Sequence, residues 1–163
     1  MISIELLVYS DAKELDGVRI AHDGWTGEAV LYSHLHTDLV CLPKNASIPI
    51  TLNAREYEVF TVVAIKEMSI GSRFAPIGLV NMFNSGGAIK EMKYETEGKS
   101  GLISMKVRGC GTFGAYSSTK PKRIQVHNEE VQFHYDESSG LVTVSLRVPD
   151  KDLYLWDVKV EVS

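Results

Sequence analysis

The chain is nearly without cysteine. Cys41 and Cys110 are the only two among 163 residues. One pair does not make a disulfide framework, so a packed core must hold the fold. A domain of this length buries roughly 70% of its unfolded surface, which is enough for such a core. Both cysteines lie in strand-like or Gly-rich sequence and are expected as buried thiols in a reducing compartment. No run of about 18 apolar residues exists, so no membrane-spanning helix is predicted. Basic surplus is missing too. Seventeen Lys and Arg against 21 Asp and Glu leave a net charge of −4, which argues against a nucleic-acid partner. Lys120, Lys122 and Arg123 cluster around Pro121 and read as a solvated loop. Residues 1–10 have no basic start and no small-residue cleavage site, and they carry Glu5. They make a poor secretory leader, and a cytoplasmic location is expected. The sequon Asn45-Ala46-Ser47 would matter only in a secreted protein.

Amphipathic helix is also lacking. Residues 11–15 could form one helical turn at most, and 12–17 read as a polar loop. What the chain has instead is alternation. Val142, Val144, Leu146 and Val148 alternate with Thr143, Ser145 and Arg147. Tyr154, Trp156, Val158, Val160 and Val162 alternate with Asp157, Lys159 and Glu161, and Val131, Phe133 and Tyr135 with Gln132, His134 and Asp136. Each pattern is that of a half-buried strand. Residues 57–66 are apolar on both faces near Phe60 and Ile65, as expected of a central strand covered on both sides. Turn signals at His36-Thr37-Asp38, His127-Asn128-Glu129 and 136–140 separate the runs. About ten short strands with turns between them predict an all-β fold, an antiparallel β-sandwich. Residues 1–20 form an N-terminal strand or loop region, in which 2–8 could pair as an edge strand. Residues 21–163 are read as one β-sandwich.

Candidate sites are few. Asp150/Asp152 and Glu129/Glu130 are the carboxylate pairs on offer. Glycoside hydrolysis needs two carboxylates about 5–5.5 Å apart in a retaining enzyme. Adjacent residues on a strand point to opposite faces, and neither pair lies among aromatics. Both read as solvated turn charges. His34 and His36 could share a face, but no third ligand has a diagnostic spacing, so no metal is expected. No cofactor is called for either: the glycines of Arg108–Gly114 precede no helix, unlike a dinucleotide fingerprint, and suggest a bulge or a close backbone approach. Trp156 belongs with the core face of the last strand. Trp25, between two glycines, is the one candidate for contact with a sugar or a partner, although packing over a sheet end is the favoured reading.

The segment 74–89 is apolar enough to be buried, yet it carries Asn81, Asn84, Ser85, Gly86 and Gly87 close together. The amides and flexible backbone predict a tight hydrogen-bonded turn. Phe74, Pro76, Gly78, Asn81, Asn84, Gly86 and Gly87 are its structural motif, with Asn81 and Asn84 expected to satisfy backbone groups. The order of this segment resembles one near the C-terminus of the plant raffinose synthase and seed imbibition protein family. Gly24-Trp25-Thr26-Gly27-Glu28, Leu42-Pro43-Lys44, Arg108-Gly109-Cys110-Gly111 and Leu153-Tyr154-Leu155-Trp156 extend the resemblance, the last two towards the seed imbibition branch. The resemblance implies galactosyl transfer from galactinol to sucrose, or α-galactoside hydrolysis, in a parent enzyme. Its catalytic aspartates lie in a barrel, and a barrel takes roughly 250 residues of alternating strand and helix. The chain resembles only the C-terminal β-domain. No catalytic residue carries over. Two roles stay open: an accessory sandwich docked on the parent's barrel, or a free-standing module that binds an oligosaccharide or another protein. An exposed apolar patch would favour the first, and an exposed aromatic platform beside Asn or Asp the second.

Overall fold

A computed structural model describes residues 2–7, 14–15, 18–19, 25–98, 100–148 and 155–163, the first three stretches by backbone alone. In chain order the strands are β1 (Ile2–Leu7), β2 (Glu14–Leu15), β3 (Val18–Arg19), β4 (Ala29–Ser33), β5 (Leu39–Leu42), β6 (Ser47–Leu52), β7 (Phe60–Ala64), β8 (Lys66–Glu67) and β9 (Arg73–Leu79). After a 3-10 turn at Ser85–Ala88 come β10 (Ile89–Glu97), β11 (Ser100–Arg108), β12 (Gly111–Ser117), β13 (Arg123–Val126), β14 (Glu129–Val131), β15 (Phe133–Asp136), β16 (Leu141–Leu146) and β17 (Leu155–Val162). The predicted all-β class stands. The strands number seventeen among the described residues rather than about ten, because bulges and sheet switches cut long runs into short ones. Gln132 shows this. The run from Glu129 splits there, β14 pairing with β13 and β15 with β16 in different sheets.

The molecule is layered. One five-stranded sheet has the order β10-β11-β17-β13-β14, and a second β15-β16-β12-β9-β8. Their facing sides bury Phe74, Leu79, Ile103, Val107, Phe113, Val142, Val144, Val158 and Val160, the main core. A third sheet, β5-β4-β7, lies against the other side of the second. Val30, Tyr32 and Ile65 meet Ala75, Ile77 and Tyr116 there. The outer side of the third sheet holds Ala29, Leu31 and Leu42 under Trp25, Ile48 and Phe60. Ile48 belongs to β6, which pairs with β1 from Ile2↔Leu52 to Leu7↔Ser47.

Two expectations are corrected by this layering. The central strand of the third sheet is β4, whose five residues are all buried. Residues 57–66 instead supply β7, which pairs only with β4 in that sheet and leaves Val62 36% exposed. The run is apolar on both faces because Val63 and Ile65 turn to one core and Phe60 to another. Periodicity reports faces, and says nothing of lateral neighbours. Cys41 is exposed rather than buried, and Cys110 is half-buried; both are free thiols. Cys41 pairs with Val30 and shares its face, but it lies on the edge strand β5.

The segment 74–79 is apolar throughout because β9 is covered on both sides. Phe74 faces the main core, while Ala75 and Ile77 face the core beneath the third sheet. Strict alternation would then send Leu79 with Ile77. It joins Phe74 instead. The cause is a bulge against β12, where Gly114 pairs with Gly78 but Ala115 pairs with Pro76, leaving Ile77 as the extra residue. Pro76 is tolerated because β8 pairs only with Arg73 and Phe74, so no ladder bond is asked of its nitrogen on that side.

The alternation read in the last strand also holds. Val158, Val160 and Val162 are buried, and Trp156 packs half-buried on the same core. Its Nε1 donates to the Gly109 carbonyl at 2.7 Å, and its ring lies 5.1 Å from that of His127. Tyr154 lies outside the described residues. Trp156→Ala is expected to cost about 3 kcal/mol, the lower end for a truncated tryptophan because the ring is partly exposed. Urea unfolding of both proteins checks it.

Candidate functional site

Three segments meet at one end of the third sheet. The first is the turn after β4, where Thr37 takes a positive φ of 57°. The Ser33 N–H closes it on the Asp38 carbonyl at 2.9 Å. The second leads into β7, and the His34 N–H donates to the Val59 carbonyl at 3.0 Å. The third follows β9, where Met82 and Phe83 precede the 3-10 turn.

Glu58 knots the first two together. Its side chain is only 3% exposed. One carboxylate oxygen accepts from the Leu35 N–H at 3.2 Å and the Val59 N–H at 2.8 Å. The other takes the Ser33 hydroxyl at 2.9 Å and meets His36 Nδ1 at 2.6 Å. Burial alone would raise the carboxyl's pKa, but these four hydrogen bonds outweigh it and hold Glu58 below the ordinary 4.5.

A second string joins the third segment. His34 Nε2 lies 2.8 Å from Thr61 Oγ1, which lies 2.9 Å from the buried Ser85 Oγ. The His34 ring stands edge-on to Tyr32 at 5.1 Å and to Phe83 at 5.9 Å. His34 and His36 therefore serve different networks. Among the described residues no group of three His, Cys, Asp or Glu could hold a metal ion.

The 82–85 turn is braced from below. Gly78 has φ of 103°, and a Cβ there would lie 1.9 Å from the Ser85 carbonyl oxygen. Asn81 accepts the Thr112 N–H through Oδ1 at 3.1 Å. Asn84 departs from the expected role. Its exposed side chain makes no capping hydrogen bond; it lies over Gly87, whose Cβ would meet it at 2.8 Å. Only its carbonyl takes part in the turn, accepting the Gly87 N–H at 3.2 Å. Gly86 meets nothing closer than 3.9 Å.

The other sequence candidates lie elsewhere. Trp25 is half-buried against Ala29, Leu31 and Leu42, with its Nε1 donating to the Glu28 carbonyl at 2.6 Å. Its polar edge is thereby spent within the chain. Glu129 and Glu130 are both exposed at the start of β14. Asp150 and Asp152 lie outside the described residues. In the basic cluster, Lys122 reaches Ser100 Oγ and Arg123 pairs with Glu161. The glycine-rich corner at 108–114 turns from the first sheet into the second, where a Cβ on Gly111 would run into the Asn81 side chain at 2.4 Å. A groove of about 320 Å³ crosses the outer face of the first sheet, lined by Glu91, Lys93, Ser104, Lys106, Asp157 and Lys159 among others, with no aromatic residue. Within it Lys106 pairs with Glu91 at 3.0 Å, and Lys159 donates to Asn128 Oδ1 at 2.8 Å.

Glu58, Thr61 and Phe83 had no signal in the sequence. Apart from Val59, which adjoins Glu58, their partners stand 22 or more residues away, and no local pattern announces such contacts.

The family described as raffinose synthase or seed imbibition protein Sip1 matches residues 5–146. The chain belongs to that family. It is 52% identical over 144 residues to "Probable galactinol–sucrose galactosyltransferase 1" of Arabidopsis thaliana, a match covering 88% of this chain and 19% of the relative. To "Probable galactinol–sucrose galactosyltransferase 6" of the same plant it is 47% identical, over 84% of this chain and 18% of the relative. To "Stachyose synthase" of Pisum sativum it is 36% identical, over 71% and 13%. This raffinose synthase family chain thus spans less than a fifth of the length of these relatives.

Proposed function

We propose that this chain is the C-terminal accessory β-sandwich of a galactinol–sucrose galactosyltransferase, or of a related α-galactosidase, and stabilises the catalytic barrel on which it docks. The observation that carries the reading is the lopsided match, most of this chain against 19% of a named galactosyltransferase. The groove that holds two carboxylates, Glu91 and Asp157, sets Lys106 between them and paired with Glu91 at 3.0 Å, which is not the open pair that glycosyl transfer would need. The reading carries a plant source and a cytoplasmic location with it. Two free thiols suit a reducing compartment. Neither nucleic acid nor membrane is a partner in it.

The purified chain is expected to show no galactosyl transfer with galactinol plus sucrose and no hydrolysis of a chromogenic α-galactoside. Turnover that survives removal of host enzymes and disappears in Asp150→Asn or Asp152→Asn would overturn this. The alternative role as an oligosaccharide-binding module has one observation in its favour: Phe83 is 62% exposed and adjoins the uncapped amide of Asn84. Calorimetric titration with raffinose decides between the two. Heat that is lost in Phe83→Ala would move the assignment to sugar binding.

A further inference from the structure

Eight large hydrophobic side chains are exposed among the described residues. Six of them lie on the third sheet or on segments that join its His34 end: Leu35, Val40, Tyr57, Val62, Met82 and Phe83. The outer face of the first sheet is the opposite case, a charged face with Glu91 and Lys93 exposed and Lys106 and Lys159 half-buried. One side of the molecule is thus built for solvent, and the other presents apolar groups of the kind that mark interaction surfaces.

We infer that the Met82-Phe83 turn, whose Phe83 ring meets that of His34, is the surface on which this domain seats the rest of a galactosyltransferase-length polypeptide. The inference rests on the accessory-domain reading above and names the face that reading needs. Two observations single out this turn. Phe83 and Met82 are 62% and 46% exposed, so they project rather than line a recess, and a projecting ring fits a concavity on a macromolecule better than it holds a small ligand. The turn is rigid. Gly78 lets the Ser85 carbonyl pack onto the strand, Asn81 holds the Thr112 N–H, and the His34–Thr61–Ser85 string ties the turn to the third sheet. A preorganised anchor loses little freedom on binding. The occupant follows from length, since more than four-fifths of the Arabidopsis relative lies outside the stretch this chain matches.

The test is thiol accessibility. In a Cys41→Ser, Cys110→Ala background, a single cysteine is placed as Phe83→Cys or, on the first sheet, as Met92→Cys. Each is labelled with maleimide in the isolated chain and in a chimera where this chain replaces its matching stretch of the 52% identical Arabidopsis relative. Labelling at position 83 is expected to slow about tenfold or more in the chimera, as for an anchor desolvated within an interface, while position 92 keeps its rate. Equal rates at 83 in both proteins, with protection at 92, would overturn the assigned face and leave the accessory role standing. Protection at neither position would sink both. Protection at 83 in the isolated chain that disappears on dilution would assign the face to a second copy instead, and also overturn the proposal. If the chimera does not accumulate, the same labelling is run with the truncated relative added in trans, with the same outcomes.

Discussion

Gly78→Ala is expected to destabilise the protein by about 2–5 kcal/mol. Two costs combine. The backbone there has φ of 103°, outside the region open to a side chain, at roughly 1–2 kcal/mol. The new Cβ would also lie 1.9 Å from the Ser85 carbonyl oxygen and 2.5 Å from its carbon. Those are backbone atoms and cannot swing aside, so the overpacking term of about 1–3 kcal/mol applies in full. The whole domain has only about 5–15 kcal/mol to lose. At about 2–4 °C per kcal/mol for this size, the midpoint should fall by roughly 10 °C. The control is Gly86→Ala in the same turn, where no heavy atom lies nearer than 3.9 Å and the change should stay within about 0.5 kcal/mol. Thermal unfolding of the two variants gives the comparison. Equal midpoints would mean that the bulge and the turn move together at little cost, and the rigidity ascribed to the Phe83 anchor would go with it.

The same glycine shows why part of this fold was legible and part was not. Local patterns read well. β4 and β5 flank the turn signalled by His36-Thr37-Asp38, and Val142, Val144 and Leu146 point inward as their alternation says. The segment 74–79 looked apolar without alternation, which is a true signal of burial on two sides. Its cause is a third layer, and layers are set by contacts between distant segments. Residues 57–66 carry the same kind of signal, which predicts a central position. They lie at an edge, because burial against two cores does not require two neighbouring strands.

The contact face was less legible still. Asn81, Gly86 and Gly87 drew attention to the right turn, yet the exposed Met82 and Phe83 between the amides read as more core. An apolar residue facing solvent cannot be told from a buried one by its type. Glu58 was silent for a different reason. A lone acidic residue ahead of a strand is the commonest of surface features, and only the fold brings Ser33, Leu35 and His36 around it.

Glu58 is the second position where a large effect is expected. Removing its carboxylate in Glu58→Ala strips the acceptor from the Leu35 and Val59 N–H groups and leaves the Ser33 hydroxyl with His36 Nδ1 at 3.2 Å in place of its 2.9 Å bond to Glu58. Hydrogen bonds to a charged group are worth about 1.5–3 kcal/mol, and the Leu35 donor, which is exposed, recovers part of its loss from water. A cost of roughly 3 kcal/mol is expected at neutral pH. The dependence on acid follows from the sign of the shift. The folded carboxyl titrates below its ordinary 4.5, because its four hydrogen bonds favour the ionised form over the burial that opposes it. Its contribution is therefore complete above about pH 4.5 and is lost as pH falls from there through the folded value. Other carboxylates titrate in the same range, so the quantity to follow is the difference in unfolding free energy between wild type and Glu58→Ala. That difference should be flat from pH 7 to about 5 and shrink below about 4.5. A difference that is already small at pH 7 would show that the turn holds without its carboxylate, and that His34 and Phe83 owe their positions to the Thr61–Ser85 string alone.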